Sequence, residues 1–304
     1  MEENKKLTLA SSPHIRTNNT TQLVMLDVII ALLPAMIAAI AIFGIRALIL
    51  TLVTVAACVL SEYLFQRAAK KPIRVSDLSA VVTGILLSFN MPYNMPYWMA
   101  IFGAVFAIII VKEMFGGIGN NFMNPALAAR AVLLASWPTE MGNFIIDGKA
   151  SATPLSGKPF TILDLFLGNI PGVMGEVSKI ALLIGACYLL LKRVIHIKMP
   201  AIYIGTVAVF FLILGYDLED TLMQVLSGGL ILGAFFMLTD YSTSPTGSKA
   251  QIIYAIGAGL LTVLIRVYGG YPEGVSYAIL LMNVATPLLD KLVRDKSFGR
   301  SVAK

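Results

Sequence analysis

Residues 23–43 carry a single charged side chain, Asp27, in an otherwise apolar run. That run reaches the roughly 20 residues needed to cross a bilayer as a helix. It is the first of ten such segments, at 23–43, 46–66, 77–91, 97–115, 124–137, 177–195, 200–215, 222–239, 251–268 and 275–291. The third and fifth are short. Only 13% of the residues are charged, about half of what a soluble surface carries. The sequence therefore predicts an all-α polytopic membrane protein. The first 22 residues are polar and the first apolar run exceeds a signal-peptide core, so no cleaved signal is expected.

The distribution of charge sets an expected topology. Lys and Arg concentrate in the tail 1–22 (Lys5, Lys6, Arg16), the connection 67–76 (Arg67, Lys70, Lys71, Arg74), the connection 192–199 (Lys192, Arg193, Lys198) and the segment after 290 (Lys291, Arg294, Lys296, Arg300, Lys304). With ten spans these four regions share one face, as the positive-inside bias requires. The other face receives acids: Asp147, Asp164, Asp217, Glu219, Asp220 and Glu273. Both termini are then cytoplasmic in a multi-pass cell-membrane protein, and the net charge of +6 needs no nucleic acid to explain it.

The long polar stretch 138–176 divides the chain into a first set of five spans (23–137) and a second (177–292), flanked by tails 1–22 and 293–304. Five is odd, so related halves would be inverted relative to each other. Spans three and eight share a pattern: Leu78-Ser79 leads to Gly84 and ends at Asn90-Met91-Pro92, and Leu226-Ser227 leads to Gly233 and ends at Thr239-Asp240. A Pro-containing polar segment follows each. Paired interrupted segments point to half-helices around a central site.

Several positions carry two readings. Gly116-Gly117-Ile118-Gly119-Asn120-Asn121-Phe122-Met123-Asn124-Pro125-Ala126 enters span five either as a structural turn, with Asn124 as N-cap and Pro125 at the first helical position, or as the lining of a cofactor cavity. It is no dinucleotide fingerprint, because no strand precedes it. Arg130 either snorkels to the interface or serves a site at membrane depth. Asp27, Glu62, Asp77, Asp240 and Asp290 fall near span ends and read mainly as interfacial or N-cap residues, with an ion or proton role as the alternative for Asp240, which follows the half-helix of span eight. His14 and His196 have no second ligand at metal spacing; no metal site and no catalytic set stand out. Cys58 and Cys187 sit singly in apolar runs, as fillers or as ligands of a cluster shared with another protein of a complex. Tyr93, Tyr97 and Trp98 fit an interfacial belt or a stacking platform.

Thr153 is the hydroxyl that the polar stretch presents, since a residue before proline is disfavoured in a helix. The glycine segment ending in Asn124-Pro125-Ala126, the run Ser151-Ala152-Thr153-Pro154-Leu155, and Gly228-Gly229 with Gly233-Ala-Phe-Phe-Met-Leu-Thr-Asp240 and Tyr241-Ser-Thr-Ser-Pro245 occur in that order. Together they resemble the D subunit of the Rnf electron-transport complex and, related to it, the B subunit of the Na+-translocating NADH:quinone oxidoreductase, over about residues 13–292. The resemblance implies FMN on Thr153 through a phosphoester bond, with Ser151 and Ala152 as neighbouring cofactor-binding candidates, installed outside the membrane by a flavin transferase whose recognition positions are occupied here by Ala150 and Ser151. Here Ala150-Ser151-Ala152-Thr153 stands where the family often has Ser-Gly-Ala-Thr. It also implies a non-covalent riboflavin in the membrane region, to which the motifs assign no residue; Asn124 and Arg130 are candidate cofactor-binding residues by their own positions at and within span five. Further implications are a fold similar to urea and ammonium transporters, and partners among the other Rnf subunits, including the extracytoplasmic flavoprotein subunit, besides membrane lipid. The activity implied is that of one component of an ion-translocating ferredoxin:NAD+ oxidoreductase, not catalytic alone, moving Na+ or H+. The alternative reading is a stand-alone inverted-repeat transporter or channel.

Overall fold

A computed structural model describes residues 20–146, 149–150, 155, 161–168, 170–176, 178–269 and 274–293. Among the described residues the architecture is helical apart from one hairpin of two-residue strands. Helix α1 (Thr21–Phe43) turns at Gly44 into α2 (Ile45–Ala68). Then come α3 (Ser79–Phe89) and α4 (Tyr97–Val105), the latter widening into a π-helical stretch over Phe106–Glu113. Helix α5 (Pro125–Ser136) and the single turn α6 (Pro138–Met141) lead to the antiparallel pair β1 (Ile145–Ile146) and β2 (Lys149–Ala150). Beyond α7 (Ile162–Leu167) and a 3-10 turn at Met174–Glu176 lie α8 (Lys179–Leu191) and α9 (Lys198–Ile213). The chain closes with α10 (Leu218–Leu226), α11 (Leu230–Leu232) continued by a π-helical stretch Gly233–Met237, α12 (Ser248–Tyr268) and α13 (Val275–Leu292).

Every expected span coincides with helix. Span eight, read as 222–239 and as one of the two interrupted spans, is broken, but between Leu226 and Leu230 rather than at its polar end, and the two pieces meet at 64°. Ser227-Gly228-Gly229 occupies the bend, and Gly228 adopts φ +66, a backbone conformation that favours glycine. By length and hydropathy α1, α2, α12 and α13 suffice to cross a membrane, as does the bent pair if it is one span. The other apolar helices, α3, α5, α8 and α9, are shorter. These helices fit a multi-pass membrane protein.

Small residues determine how the helices meet. In a bilayer, apolar side chains gain little by leaving lipid, so packing depends on close backbone approach. Helix α1 lies on α8 at Gly185, where a Cβ would stand 2.0 Å from the carbonyl oxygen of Ala31. Helix α2 lies on α3 at Gly84, 2.7 Å from the Cα of Val55. Helix α9 meets α12 at Gly259, 2.8 Å from the Cβ of Thr206. Buried hydroxyls then link the helices: Tyr203 with Thr262 at 2.8 Å, and Tyr254 donating to Asn283 at 2.6 Å. Large apolar side chains such as Ile37, Leu52, Leu191 and Ile213 point outward, as a lipid-facing surface requires. Cys58 is buried and Cys187 is exposed.

Gly185→Val should destabilise the chain by about 1–3 kcal/mol through overpacking against backbone that cannot yield. Gly205→Val, whose Cβ meets open space, should leave stability unchanged. Thermal unfolding of the detergent-solubilised pair reads the difference.

Candidate functional site

Helix α5 links two cavities. At its start, Gly116, Gly117 and Gly119 all have positive φ, which lets the chain fold back tightly before Asn124. The side-chain oxygen of Asn124 caps the helix, accepting from the backbone N–H of Ala126 at 3.0 Å and of Leu127 at 3.3 Å. Pro125 follows at the first helical position. The structural-turn reading therefore holds, and the same residue also lines a cavity. Asn121 and Asn124 face it from this segment, Phe235 and Phe236 from the second half, and Asp240 from the turn beyond. Asn121 is tied across to that turn by donating to the Ser242 hydroxyl at 3.2 Å.

Asp240 accepts from the Ser242 N–H at 3.2 Å, from its hydroxyl at 3.0 Å and from Thr243 at 3.3 Å. Burial raises its pKa, and these hydrogen bonds oppose the rise. Asp77 performs the matching task before α3, accepting from the Ser79 N–H at 2.9 Å and hydroxyl at 2.5 Å. Asp27 accepts from Tyr188 at 2.7 Å, and Asp290 from the Thr246 N–H at 3.2 Å.

Glu62 departs from its expected interfacial role. It is buried and pairs with Lys112, Nζ to Oε1 2.6 Å, and Lys112 also donates to Ser79 at 2.6 Å. Gln66 joins Glu62 at 3.3 Å to the buried Glu113 at 3.1 Å. Among the described residues, Glu62 Oε2 has no hydrogen-bond partner. The wall of the first cavity that holds Lys112 thus rests on a buried network of two carboxylates, one amide and one ammonium.

Arg130, further along α5, is 4% exposed. It does not snorkel; its Nη1 donates to Asn90 Oδ1 at 2.8 Å. Asn90 ends α3 and donates in turn to the carbonyl of Leu86 at 2.7 Å, with Met237 Sδ at 3.8 Å. The two broken segments therefore touch beside Arg130. Glu176 and Arg130 both face Gly229 at the bend, where a Cβ would lie 3.0 Å from Glu176 Oε1 and 3.9 Å from Arg130 Nη1. Lys179, fully buried, donates to the Glu176 carbonyl. Arg266 donates to the carbonyls of Gln224 and, at 3.1 Å, Ser227, holding the bend. Burial raises the pKa of Glu176, while Arg130, Lys179 and Arg266 pull it down. Three cations thus surround one carboxylate.

Arg130 also lines the second cavity, with Leu134, Phe144 and Ser276. Thr153, Ser151 and Ala152 lie outside the described residues. Leu155 is described, and its Cδ1 packs 3.0 Å from the Cβ position of Gly228. Sequence reasoning missed Lys112, Glu113, Glu176, Lys179 and Arg266. The visible signal was charge within or beside apolar segments, which in a membrane protein marks either a partner or a site.

The fold and its paired cavities define a class: polytopic membrane proteins whose polar side chains gather around broken helices. The chain belongs to the NQR2, RnfD, RnfE family, whose profile matches residues 8–299. It is 51% identical to the D subunit of the Na(+)-translocating ferredoxin:NAD(+) oxidoreductase complex of Acetobacterium woodii, covering 96% of this chain and 95% of that one. It is 40% identical to the D subunit of the proton-translocating ferredoxin:NAD(+) oxidoreductase complex of Clostridium ljungdahlii, covering 96% of each. Identity is 30% to the D subunit of the ion-translocating oxidoreductase complex of Yersinia enterocolitica, over 96% of this chain and 98% of that one.

Lys112→Met leaves Glu62 buried without its cation and should cost about 3–5 kcal/mol. Adding Glu62→Gln should recover most of that loss. Melting temperatures of the two single variants and the double variant test the coupling.

Proposed function

We propose that this chain is the membrane flavoprotein component of an ion-translocating ferredoxin:NAD+ oxidoreductase. The names of its relatives and their near full-length match support the complex; the NAD and ferredoxin sites belong to other subunits. FMN is carried on Thr153 of an extracytoplasmic loop, attached by a flavin transferase. Both termini are cytoplasmic. The body is an inverted five-plus-five arrangement of ten helices. Its support is the pairing of corresponding members: α1 packs on α8, α5 on α13, and the interrupted segments meet at Asn90 and Met237.

The observation that carries the assignment of a second, non-covalent flavin is the donor set of the first cavity. Its apolar walls suit a planar ring system, and Asn121, Asn124 and Asp240 line it together. The Asn124 oxygen is committed to the helix cap, so its NH2 group is what it offers the cavity. Those groups fit the carbonyl and imide edge of an isoalloxazine. A flavin held there supplies electron transfer in single or paired steps. The protein's part is to hold the ring and keep water from it, which Phe235, Phe236 and Leu86 do.

A stand-alone transporter would need an open axis. The two cavities are instead separated by the Asn90, Arg130 and Met237 contact, and the stretch from Ala126 to Arg130 is one helical turn, about 6 Å. A fixed cation at such a constriction also opposes the passage of Na+ or H+.

Thr153→Ala should abolish the ultraviolet in-gel fluorescence of the denatured chain co-expressed with its transferase. Asn124→Leu should keep that band and lose the flavin released by acid precipitation. A wild-type chain with no fluorescent band would favour the transporter reading.

A further inference from the structure

A third cavity, of about 190 Å³, lies under the connection 67–76. Glu62, Gln66, Asp77 and Glu113 line it, with Lys71 and Arg74. Lys71, Pro72 and Arg74 are exposed, so water reaches it from that connection. At this size it holds several waters, since one needs roughly 15 Å³. Ile118 belongs to its wall and also to the wall of the first cavity, which Ser79, Lys112 and Asp240 line as well. The two hollows are therefore neighbours, and the buried network of Glu62, Lys112 and Ser79 stands between them.

The hydrogen bonds of this network run from one cavity to the other. Lys112 Nζ donates to Glu62 Oε1 and to Ser79 Oγ, each at 2.6 Å. An ammonium carries three protons, so one remains beyond these two bonds. The Ser79 hydroxyl passes on to Asp77 Oδ1 at 2.5 Å, and Asp77 borders the third cavity. Glu62 is 1% exposed, yet its Oε2 has no hydrogen-bond partner among the described residues. Leaving a buried charged acceptor open is costly, and a pair kept for packing alone requires its remaining lone pairs to be satisfied. Here one carboxylate oxygen holds the ammonium and the other is left open on a residue that borders a water-accessible hollow.

We propose that Glu62 and Lys112 form a proton path from the third cavity to the first. Lys112 Nζ gives a proton into the first cavity and is left neutral. Water in the third cavity, in exchange with bulk, protonates Glu62 at Oε2. A half-turn of the carboxyl group then presents that proton to Nζ. Carboxylate and ammonium are restored, and one proton has crossed in each cycle. Asp77 and Ser79 offer a parallel branch to the same ammonium. Glu113, joined to Glu62 through Gln66, and Lys71 and Arg74 set the charge around the entrance. The inference rests on the flavin proposed above for the first cavity, whose reduction takes up protons. The path supplies them from the face that bears Lys71 and Arg74.

The test uses the full Thr153→Ala chain, which lacks the tethered flavin and keeps the one released by acid. A photogenerated viologen radical supplies electrons, and a pH-indicating dye follows proton uptake. Glu62→Gln should slow that uptake by about tenfold or more without loss of flavin, and Glu62→Asp should retain most of the rate. A second measurement needs neither substitution at Glu62 nor flavin: a hydrophobic carbodiimide reacts with carboxyl groups that take up a proton, and mass spectrometry should find it on Glu62. Flavin present with uptake unchanged in Glu62→Gln overturns the path alone. Glu62 left unmodified by the carbodiimide overturns it too, and decides the matter if Glu62→Gln fails to fold. A chain that releases no flavin to acid overturns the flavin of the first cavity and the path to it together.

Discussion

Hydrocarbon offers a backbone polar group no partner, and each one left open there costs several kcal/mol. This chain interrupts its helices repeatedly at or near membrane depth, and a named side chain attends each interruption. Asn90 closes the end of α3 and Asn124 the start of α5. Asp77 and Asp240 tie off the turns before α3 and after Met237. Arg266 takes the carbonyls released at the bend after α10. The cavities exist because these breaks are tolerated, and the breaks are tolerated because the caps are in place.

The same breaks divide the buried charge. The network beside the first cavity contains Glu62, Glu113 and Lys112, with the half-exposed Lys71 4.0 Å from Glu113. The cluster at the bend contains Arg130, Lys179 and Arg266 around Glu176. One end is therefore rich in carboxylate and the other in cation, with α5 running between them. Buried ion pairs are weak evidence of stability, since desolvation offsets much of their attraction. Their placement beside cavities is better understood through the proposed function: an electron carrier working near a low-dielectric body needs its charge balanced nearby. On the proposed orientation, the cationic end lies toward the face that carries Thr153.

Much of the helical plan was legible from residue type alone. Apolar length located helices that the structure contains, and Asn124-Pro125 announced its own cap. The glycines at 116, 117 and 119 were legible as a turn for the same local reason. What escaped were relations across the chain. Glu62 looked interfacial because its partner Lys112 lies on another helix, and no periodicity links them. Arg130 stood undecided because Asn90 and Glu176 approach it from α3 and from the polar stretch. Span eight reads as interrupted, but the position of its break at Ser227-Gly228-Gly229 was hidden because apolar residues continue on both sides, so hydropathy reads through a bend that φ at Gly228 imposes. Thr153 was reached by motif, and the motif alone carries it.

Arg130 shows why residue identity matters at such a junction. Lys179, equally buried, donates its ammonium to the Glu176 carbonyl, and a flexible stem suits that task. At position 130 the side chain must meet Asn90 at one edge and line the second cavity at the other. A planar guanidinium with donors around its rim can do both without moving, whereas an ammonium acts as a single point. The geometry that joins the two halves at Asn90 is thus the geometry that places a fixed cation against the cavity. Packing and chemistry are coupled there through one side chain, so a change that loosens the contact between α3 and α5 also moves the charge on which the cavity depends.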